Sequence, residues 1–261
     1  MYLSMNGKKV IITGAGEGIG RALALAFSRE GAQIAACART QTRLDSLSDE
    51  MKGKGHLCFS ANLGKPEGVR AFHNSAIKEL GQVDVLINNV GAVLKLANFF
   101  ELTDQDWEDS FQLNLMSAVR ITRLCIPSLK KSSCARIINI SSIAAASPQE
   151  VFPHYSAMKA GLSNFTSSLA QTLAPDKILV NSVSPGPVWS KSWEDEAQNS
   201  DVPMDQAKEE IMRRTGDTIP LKRMGMPEDL TGLVLFLASE KSAWITATNF
   251  TLDGGITRNP F

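Results

Sequence analysis

An octapeptide near the start of the chain, TGAGEGIG, constrains the fold more than any other stretch. It follows a β-branched run, Lys8–Thr13, and precedes a segment with helical periodicity, Arg21–Glu30. Gly14, Gly18 and Gly20 would let the backbone approach a pyrophosphate, and the helix N-terminus would add N–H groups and a positive dipole end. Because the spacing is G-x3-G-x-G, an ordinary tight turn is the alternative.

Short apolar runs alternate with amphipathic helices to the end of the chain. We predict strands at Lys8–Thr13, Gln33–Ala38, His56–Ser60, Asp84–Asn88, Arg136–Ser141, Ile178–Ser184 and Ala247–Leu252. We predict helices at Arg21–Glu30, Thr42–Met51, Glu67–Leu80, Asp104 to about Lys131 with a kink at Pro127, Tyr155–Leu173, and Glu228–Ser239. This alternation predicts an α/β fold, a Rossmann-type doubly wound parallel sheet of about seven strands with helices on both faces. Since no linker interrupts it, we predict a single domain over residues 1–261.

The region 188–225 is irregular and lies beyond the sixth predicted strand. It contains two tryptophans, Trp189 and Trp193, and one polar helical piece near Met204–Thr215. Ligands of such sheets bind outside the carboxyl ends of the strands, so this region is a candidate substrate lid. An ordered insertion packed on the surface is the alternative.

Composition and charge narrow the class of function. Lys plus Arg and Asp plus Glu both number 27, so no overall field would attract nucleic acid or an anionic membrane. No apolar stretch is long enough to cross a membrane, and the N-terminus lacks a signal-peptide core. The four cysteines have no CxxC spacing, which favours free thiols in the cytoplasm over disulfides or a metal site.

A tyrosine and a lysine four residues apart, Tyr155 and Lys159, form a candidate acid/base pair. On a helix they would share a face, and the nearby cation would lower the pKa of the phenol. Ser142 lies thirteen residues before Tyr155, at the end of an apolar strand, where its hydroxyl can face a ligand. Two unrelated surface neighbours on a helix are the alternative.

A hydrolase triad does not fit this sequence. His56, His73 and His154 match no hydrolase order, and no G-x-S-x-G elbow is present. His154 is next to Tyr155 but should point elsewhere on the helix, so we interpret it as structural or at the pocket rim.

Several motifs together resemble the short-chain dehydrogenase/reductase family. They are TGAGEGIG after the first strand, NNVG after the fourth, Asn114 in the long helix, Ser142, YSAMK, and SPG after the sixth strand. The resemblance covers about Gly7 to Ile256, and within the family the chain is most similar to carbonyl reductases that include the 3-oxoacyl-acyl-carrier-protein reductases.

The resemblance implies a role for each matching residue. Tyr155 would exchange the proton, Lys159 would lower its pKa and hold the nicotinamide ribose, Ser142 would bond the substrate oxygen, and Asn114 would hold a water. The residues implied to bind the cofactor are Gly14, Gly18, Ile19, Gly20, Arg39, Thr40, Asn62, Leu63, Asn89, Gly91, Tyr155, Lys159, Pro185, Gly186 and Val188. No metal is implied.

Three positions depart from the family pattern. Asn62 and Ser190 stand where aspartate and threonine are more usual, and both keep hydrogen-bonding capacity. Asp176 stands near where carrier-protein reductases often present a basic residue, so the sequence does not favour an acyl carrier protein as partner.

Cofactor choice depends on the end of the second strand. An NAD enzyme of this fold typically has an acidic residue there, whereas this chain has Ala38. Arg39 and Thr40 follow and can bind a phosphate, so NADP(H) is favoured and NAD(H) stays possible. Glu17 argues against NADP(H), since its carboxylate would repel a 2′-phosphate unless it turned to solvent.

These observations predict an NADP(H)-dependent oxidoreductase interconverting a ketone and a secondary alcohol. An NAD-dependent sugar or polyol dehydrogenase and a non-catalytic dinucleotide-binding sensor remain as alternatives. The expected partner is a small carbonyl or alcohol substrate, with neither nucleic acid nor membrane. The resemblance also implies a homotetramer, or a homodimer, assembled through the helices Asp104–Lys131 and Tyr155–Leu173.

Overall fold

A parallel sheet organises the computed structural model, which describes residues 3–258, so residues 1–2 and 259–261 of the predicted domain lie outside it. Its strands are β1 (Lys9–Thr13), β2 (Gln33–Ala38), β3 (Leu57–Ser60), β4 (Val85–Asn88), β5 (Arg136–Ile140), β6 (Leu179–Pro185) and β7 (Asn249–Leu252). Within the described residues the seven strands are all parallel and lie in the order β3-β2-β1-β4-β5-β6-β7. The predicted fold class is therefore confirmed.

Helices follow the strands in the predicted alternation. They are α1 (Gly18–Arg29), α2 (Gln41–Glu50), α3 (Pro66–Leu80), α4 (Asp104–Phe111), α5 (Ser117–Leu129), α6 (Pro153–Leu173), α7 (Lys191–Gln198), α8 (Met204–Thr218) and α9 (Thr231–Ala238). The last predicted helix, Glu228–Ser239, begins instead as a 3-10 turn, Pro227–Leu230, and becomes α9.

Alternate residues of each central strand enter two separate cores. Val10 and Ile12 of β1 face the core that contains Phe27, whereas Ile11 faces the core that contains Phe72. Successive side chains of a strand point to opposite faces, and helices cover both faces here. This double burial is why β1 is apolar at the consecutive positions Val10, Ile11 and Ile12.

The prediction of one helix from Asp104 to Lys131 is wrong at its centre. A π-helical segment, Gln112–Met116, separates α4 from α5. The helix continues through Pro127 to Leu129, so the predicted proline does not mark the irregularity. A π-bulge inserts an extra residue and re-aims its side chains, and such bulges are frequent at functional sites. The residue re-aimed here is Asn114, whose contacts are described below.

The region 188–225, all of which is described, contains two helices where one was predicted. α7 and α8 pack against each other through a small core of Ala197, Ala207 and Ile211. The two ends of the region are pinned together, because Trp189 N–H donates to Gly225 O at 2.9 Å. The region is thus a pair of helices whose two connections to the rest of the protein lie side by side.

The topology positions a crevice at one edge of the sheet. β4 lies beside β1, although β2 and β3 come between them in the sequence. Connections from β1 and β4 therefore leave in opposite directions, and the gap between them is where ligands of doubly wound sheets bind. Among the helices within residues 3–258, none has the length and apolar character needed to span a membrane.

Candidate active site

A cleft of about 380 Å³ opens at the carboxyl ends of β1, β4, β5 and β6. It is a single connected cavity that extends from the α2 N-terminus, past the glycine turn, to the start of α6. It brings together residues distant in sequence, among them Gly14, Arg39, Asn89, Tyr155 and Val188.

The glycine turn forms the floor of this cleft. Gly14 has φ +68°, a left-handed conformation that an L side chain rarely adopts. A Cβ at Gly20 would collide with the Gly14 carbonyl oxygen, so α1 can begin directly under the turn only with glycine there. Asn89 Nδ2 donates to Gly14 O at 3.0 Å and to Thr13 O at 3.1 Å. The turn and the end of β4 are therefore locked to each other.

Asn114 connects the loop after β4 to the π-helical segment. Its Oδ1 accepts from Ala92 N–H at 2.8 Å, and its Nδ2 donates to Ala92 O at 3.1 Å and to Ser110 Oγ at 3.1 Å. A Cβ at Gly91 would lie 2.7 Å from Lys159 Nζ and 3.0 Å from Asn114 Oδ1. Gly91 thus leaves room where the lysine and the asparagine converge, and a larger residue there would displace Lys159 Nζ.

Tyr155 and Lys159 lie one turn apart on the first part of α6. Lys159 Nζ is 5.7 Å from the Tyr155 ring centroid and donates to Ile140 O, at the end of β5, at 2.8 Å. Ser142 starts the 3-10 turn after β5, where its Oγ accepts from Ala144 N–H at 3.1 Å. Its hydroxyl also hydrogen-bonds the Tyr155 phenol. The surface-neighbour alternative is therefore wrong, since both α6 side chains face the cleft.

Burial dominates the electrostatics of this pair. It lowers the pKa of Lys159 to about 8, because the ammonium loses its hydration. It raises the pKa of Tyr155 above its ordinary value, and the hydrogen bond from Ser142 only partly opposes this. The expectation of a lowered tyrosine pKa is wrong here, because loss of hydration raises the pKa of Tyr155 more than the hydrogen bond from Ser142 lowers it. At neutral pH Tyr155 is a protonated donor and Lys159 remains mostly charged.

The opposite end of the cleft is basic. Arg39 and Thr40 are exposed at its mouth, and no hydrogen bond or ion pair joins the Arg39 guanidinium to any residue in 3–258. Glu17 lines the same end, where its carboxylate forms an ion pair with Arg43. The carboxylate expected to oppose a phosphate is therefore paired with an arginine, although 43% of the Glu17 side chain stays exposed.

The structure brings nearly all the predicted site residues into this one cleft. Those that line it are Gly14, Gly18, Ile19, Arg39, Thr40, Asn62, Leu63, Asn89, Gly91, Ser142, Tyr155, Lys159, Pro185, Gly186 and Val188. Gly20 and Asn114 do not line it: Gly20 lies beneath the turn, and Asn114 acts on the loop that borders it.

Sequence reasoning missed two charged residues of the cleft, Arg43 and Lys191. Arg43 belongs to α2, and the sequence alone did not show which side of this helix faces the cleft, because that depends on where the helix begins. Lys191 begins α7 and pairs with Glu194 at 3.2 Å and Asp195 at 2.8 Å. The one indication of Lys191 in the sequence was its position next to Ser190.

His154 lies outside the cleft, as its helical position predicts. It is fully buried, and its ring meets Trp107 edge-on with centroids 6.2 Å apart. Burial lowers the pKa of its imidazole. It is a packing residue between α4 and α6.

The residues present fit a dinucleotide. The glycine turn leaves no room for a side chain at Gly16 or Gly20 and presents the N-terminus of α1. It joins a long cleft with a buried lysine at one end and arginines at the other. Backbone N–H groups at a helix N-terminus suit a pyrophosphate. No group of three or more potential metal ligands occurs among residues 3–258.

Comparison with known proteins agrees with this geometry. The family model described as short chain dehydrogenase matches residues 8–201. Among curated proteins, the 3-oxoacyl-(acyl-carrier-protein) reductase FabG of Thermotoga maritima is 31% identical over 257 residues, covering 97% of this chain and 99% of the relative. The uncharacterised oxidoreductase YvrD of Bacillus subtilis is 32% identical over 264 residues, covering 99% and 100%.

Among solved structures, L-sorbose reductase from Gluconobacter frateurii is similar over its whole length. The TM-score is 0.92 at 31% sequence identity, with 99% of this chain and 100% of that chain covered. That protein was solved in complex with NADPH and L-sorbose.

Proposed function

This chain belongs to the short-chain dehydrogenase family and is an alcohol/carbonyl oxidoreductase, and we propose that it interconverts a ketone and a secondary alcohol with NADP(H), using Tyr155 as proton donor and acceptor. One observation carries the proposal. The Tyr155 phenol is buried, bonded to Ser142 and one turn from Lys159, in the same cleft as the glycine turn.

The proposed chemistry divides between the cofactor and the chain. A bound nicotinamide supplies or accepts the hydride. In reduction, Ser142 and Tyr155 donate hydrogen bonds to the substrate oxygen, which stabilises the negative charge that develops there. Tyr155 then transfers its proton to that oxygen, and in oxidation it takes the proton back. Lys159, an ammonium one turn away, stabilises the resulting phenolate.

Lys159 is proposed to return the proton to Tyr155, with Asn114 holding a water in the proton path from Lys159. Both converge on Gly91, and Asn114 is held by two hydrogen bonds to the backbone of Ala92. A lysine with a pKa of about 8 can release and regain a proton near neutral pH, which suits a relay.

Preference for NADP(H) is proposed from the charge at the α2 end of the cleft. β2 ends at Ala38, so no carboxylate there accepts the hydroxyls of the adenosine ribose. Arg39 is free to bind a 2′-phosphate, and Glu17 is neutralised by Arg43. The NADPH complex of the similar L-sorbose reductase supports the same choice.

For the substrate, a sugar or polyol ketone is a better candidate than a carrier-bound thioester. Asp176 forms an ion pair with Lys130 at 2.8 Å, which neutralises one of the basic side chains that an acidic carrier protein would need on that surface. The similar L-sorbose reductase was solved with a sugar in place. The helices α7 and α8 are proposed to act as a lid over the substrate, since they stand on a narrow base beside Val188.

Initial rates with NADPH and NADH against sugars, simple ketones and β-ketoacyl thioesters test the function. Tyr155→Phe keeps the ring volume but removes the proton donor, so turnover should fall by about 10²–10⁴-fold. NADPH affinity should change little, because the glycine turn and Lys159 remain. A variant that keeps more than about a tenth of wild-type turnover, with chemistry rate-limiting, would exclude Tyr155 as the acid.

The same panel separates the alternatives. A wild-type enzyme faster with NADH on polyols would replace the proposal with an NAD-dependent polyol dehydrogenase. Tight NADPH binding without turnover on any carbonyl compound would indicate a sensor.

A further inference from the structure

The ion pair between Glu17 and Arg43 has a position that gives it a role beyond surface pairing. Glu17 is the residue before α1, in the glycine turn, and Arg43 lies in the first turn of α2. Both line the cleft at the end that holds Arg39 and Thr40. The pair therefore joins the two elements that would flank the ribose of an adenine dinucleotide.

The stem of Arg43 lies along the floor of this end of the cleft. A Cβ at Gly16 would be 2.9 Å from Ala38 Cβ, 3.7 Å from Arg43 Cβ and 3.8 Å from Arg43 Cδ. Arg21 donates to Arg43 O at 3.3 Å, which fixes the start of α2 against α1. The Arg43 side chain is 38% exposed, so its guanidinium is anchored at one side and open to the cleft at the other.

Charge at this end is net positive only because of Arg43. The ionised side chains that line it are Glu17, Arg39 and Arg43. Without Arg43, the carboxylate of Glu17 would face an incoming phosphate and cancel Arg39. A guanidinium has five N–H donors, so Arg43 can bond Glu17 and still present donors to a second anion.

We propose that Arg43 is a second determinant of specificity for the 2′-phosphate of NADP(H), and that Glu17 positions its guanidinium. This inference rests on the proposed NADP(H) dependence. In it, Arg43 donates to the phosphate together with Arg39, and Glu17 holds the guanidinium over the glycine turn.

The expected effect is about a tenfold loss in NADPH affinity for Arg43→Ala, with NADH affinity unchanged. Loss of a charge-assisted hydrogen bond weakens binding by roughly 10-fold or more. Because Arg43 is partly exposed, we expect its loss to weaken binding by the lower end of that range. Arg43→Lys keeps the charge without the planar fork, so its loss should be smaller.

The double variant Glu17→Gln with Arg43→Ala separates two effects of Arg43: its contact with the 2′-phosphate and its neutralisation of the Glu17 carboxylate. In Arg43→Ala the Glu17 carboxylate is unpaired and repels the phosphate. Removing that charge should recover part of the lost NADPH affinity, while the missing Arg43 contact keeps it below wild type.

Dissociation constants of NADPH, NADH, adenosine 2′,5′-bisphosphate and 5′-AMP, measured by calorimetry on the full-length protein, provide the test without turnover. Arg70→Ala is the matched control, because Arg70 is exposed on α3 and outside the cleft. The bisphosphate should lose affinity in parallel with NADPH, and 5′-AMP should follow NADH.

The inference would be overturned if Arg43→Ala lost equal affinity for NADPH and NADH, or for the bisphosphate and 5′-AMP. It would also be overturned if the double variant recovered the full NADPH affinity of the wild type. If Arg39→Ala lowers NADPH affinity selectively but Arg43→Ala does not, this inference fails and the proposed function stands. A wild-type protein that binds NADH more tightly than NADPH would instead refute the proposed cofactor, and the inference with it.

Discussion

Lys159 should make the protein less stable at neutral pH than a chain with an apolar side chain in its place. Its ammonium is fully buried beside Tyr155, and its identified hydrogen-bond acceptor is the Ile140 carbonyl at 2.8 Å. Burial lowers its pKa from an ordinary 10.5 to about 8. The variant Lys159→Met removes the charge and keeps most of the volume.

The effect of Lys159 on the free energy of unfolding follows from the difference between its pKa values in the folded and unfolded states. Between pH 8 and 10.5 the unfolded state binds the Lys159 proton and the folded state does not, so the free energy of unfolding rises with pH. Below pH 8 the full cost applies, about 3 kcal/mol for this difference in pKa. Losing the bond to Ile140 costs the variant about 1 kcal/mol. Lys159→Met should therefore gain about 2 kcal/mol at pH 7.

Urea unfolding at pH 7, 8, 9 and 10 measures this. The advantage of Lys159→Met should shrink by about 1.3 kcal/mol between pH 7 and 9 and by about 2.5 kcal/mol by pH 10. Lys78→Met, on the exposed face of α3, is the control and should show no such trend. A variant that is less stable than wild type at pH 7, or an advantage independent of pH, would refute the reasoning.

Two further predictions concern cofactor choice and assembly. Arg39→Ala should weaken NADPH binding by about 10- to 150-fold, the energy of a charge-assisted hydrogen bond, and leave NADH binding nearly unchanged; equal losses in fluorescence titrations would contradict it. The protein should be a homotetramer paired through α4, α5 and α6 across two-fold axes. Light scattering that shows a monomer at micromolar concentration would exclude this assembly.

Several elements of the fold follow from local pattern alone. The centre of β1, Val10 to Ile12, is apolar because both faces of a central parallel strand are buried, and glycines after the strand mark the sharp turn into α1. Such signals depend on neighbouring residues, so they identified each strand. They could not find the π-helical segment Gln112–Met116, because its extra residue is stabilised by contacts of Asn114 with a distant loop.

The candidate site shows the same division. Residue types and order led to Tyr155, Lys159 and Ser142, because acid/base chemistry needs a phenol, an ammonium and a hydroxyl at suitable spacing. The direction of the Tyr155 pKa could not be obtained that way, since it depends on how much water the folded chain excludes around the phenol.

What the sequence by itself determined is the alternation of strands and helices, the glycine turn and the identity of the reacting groups, because these depend on local periodicity and chemistry. Only the tertiary structure decided which charges meet. Glu17 and Arg43 are separated along the chain but pair at one end of the cleft, so an arginine balances the negative charge of the acidic residue in the glycine turn. Electrostatic energy depends on distance and burial, and both are set by the packing of α1 against α2.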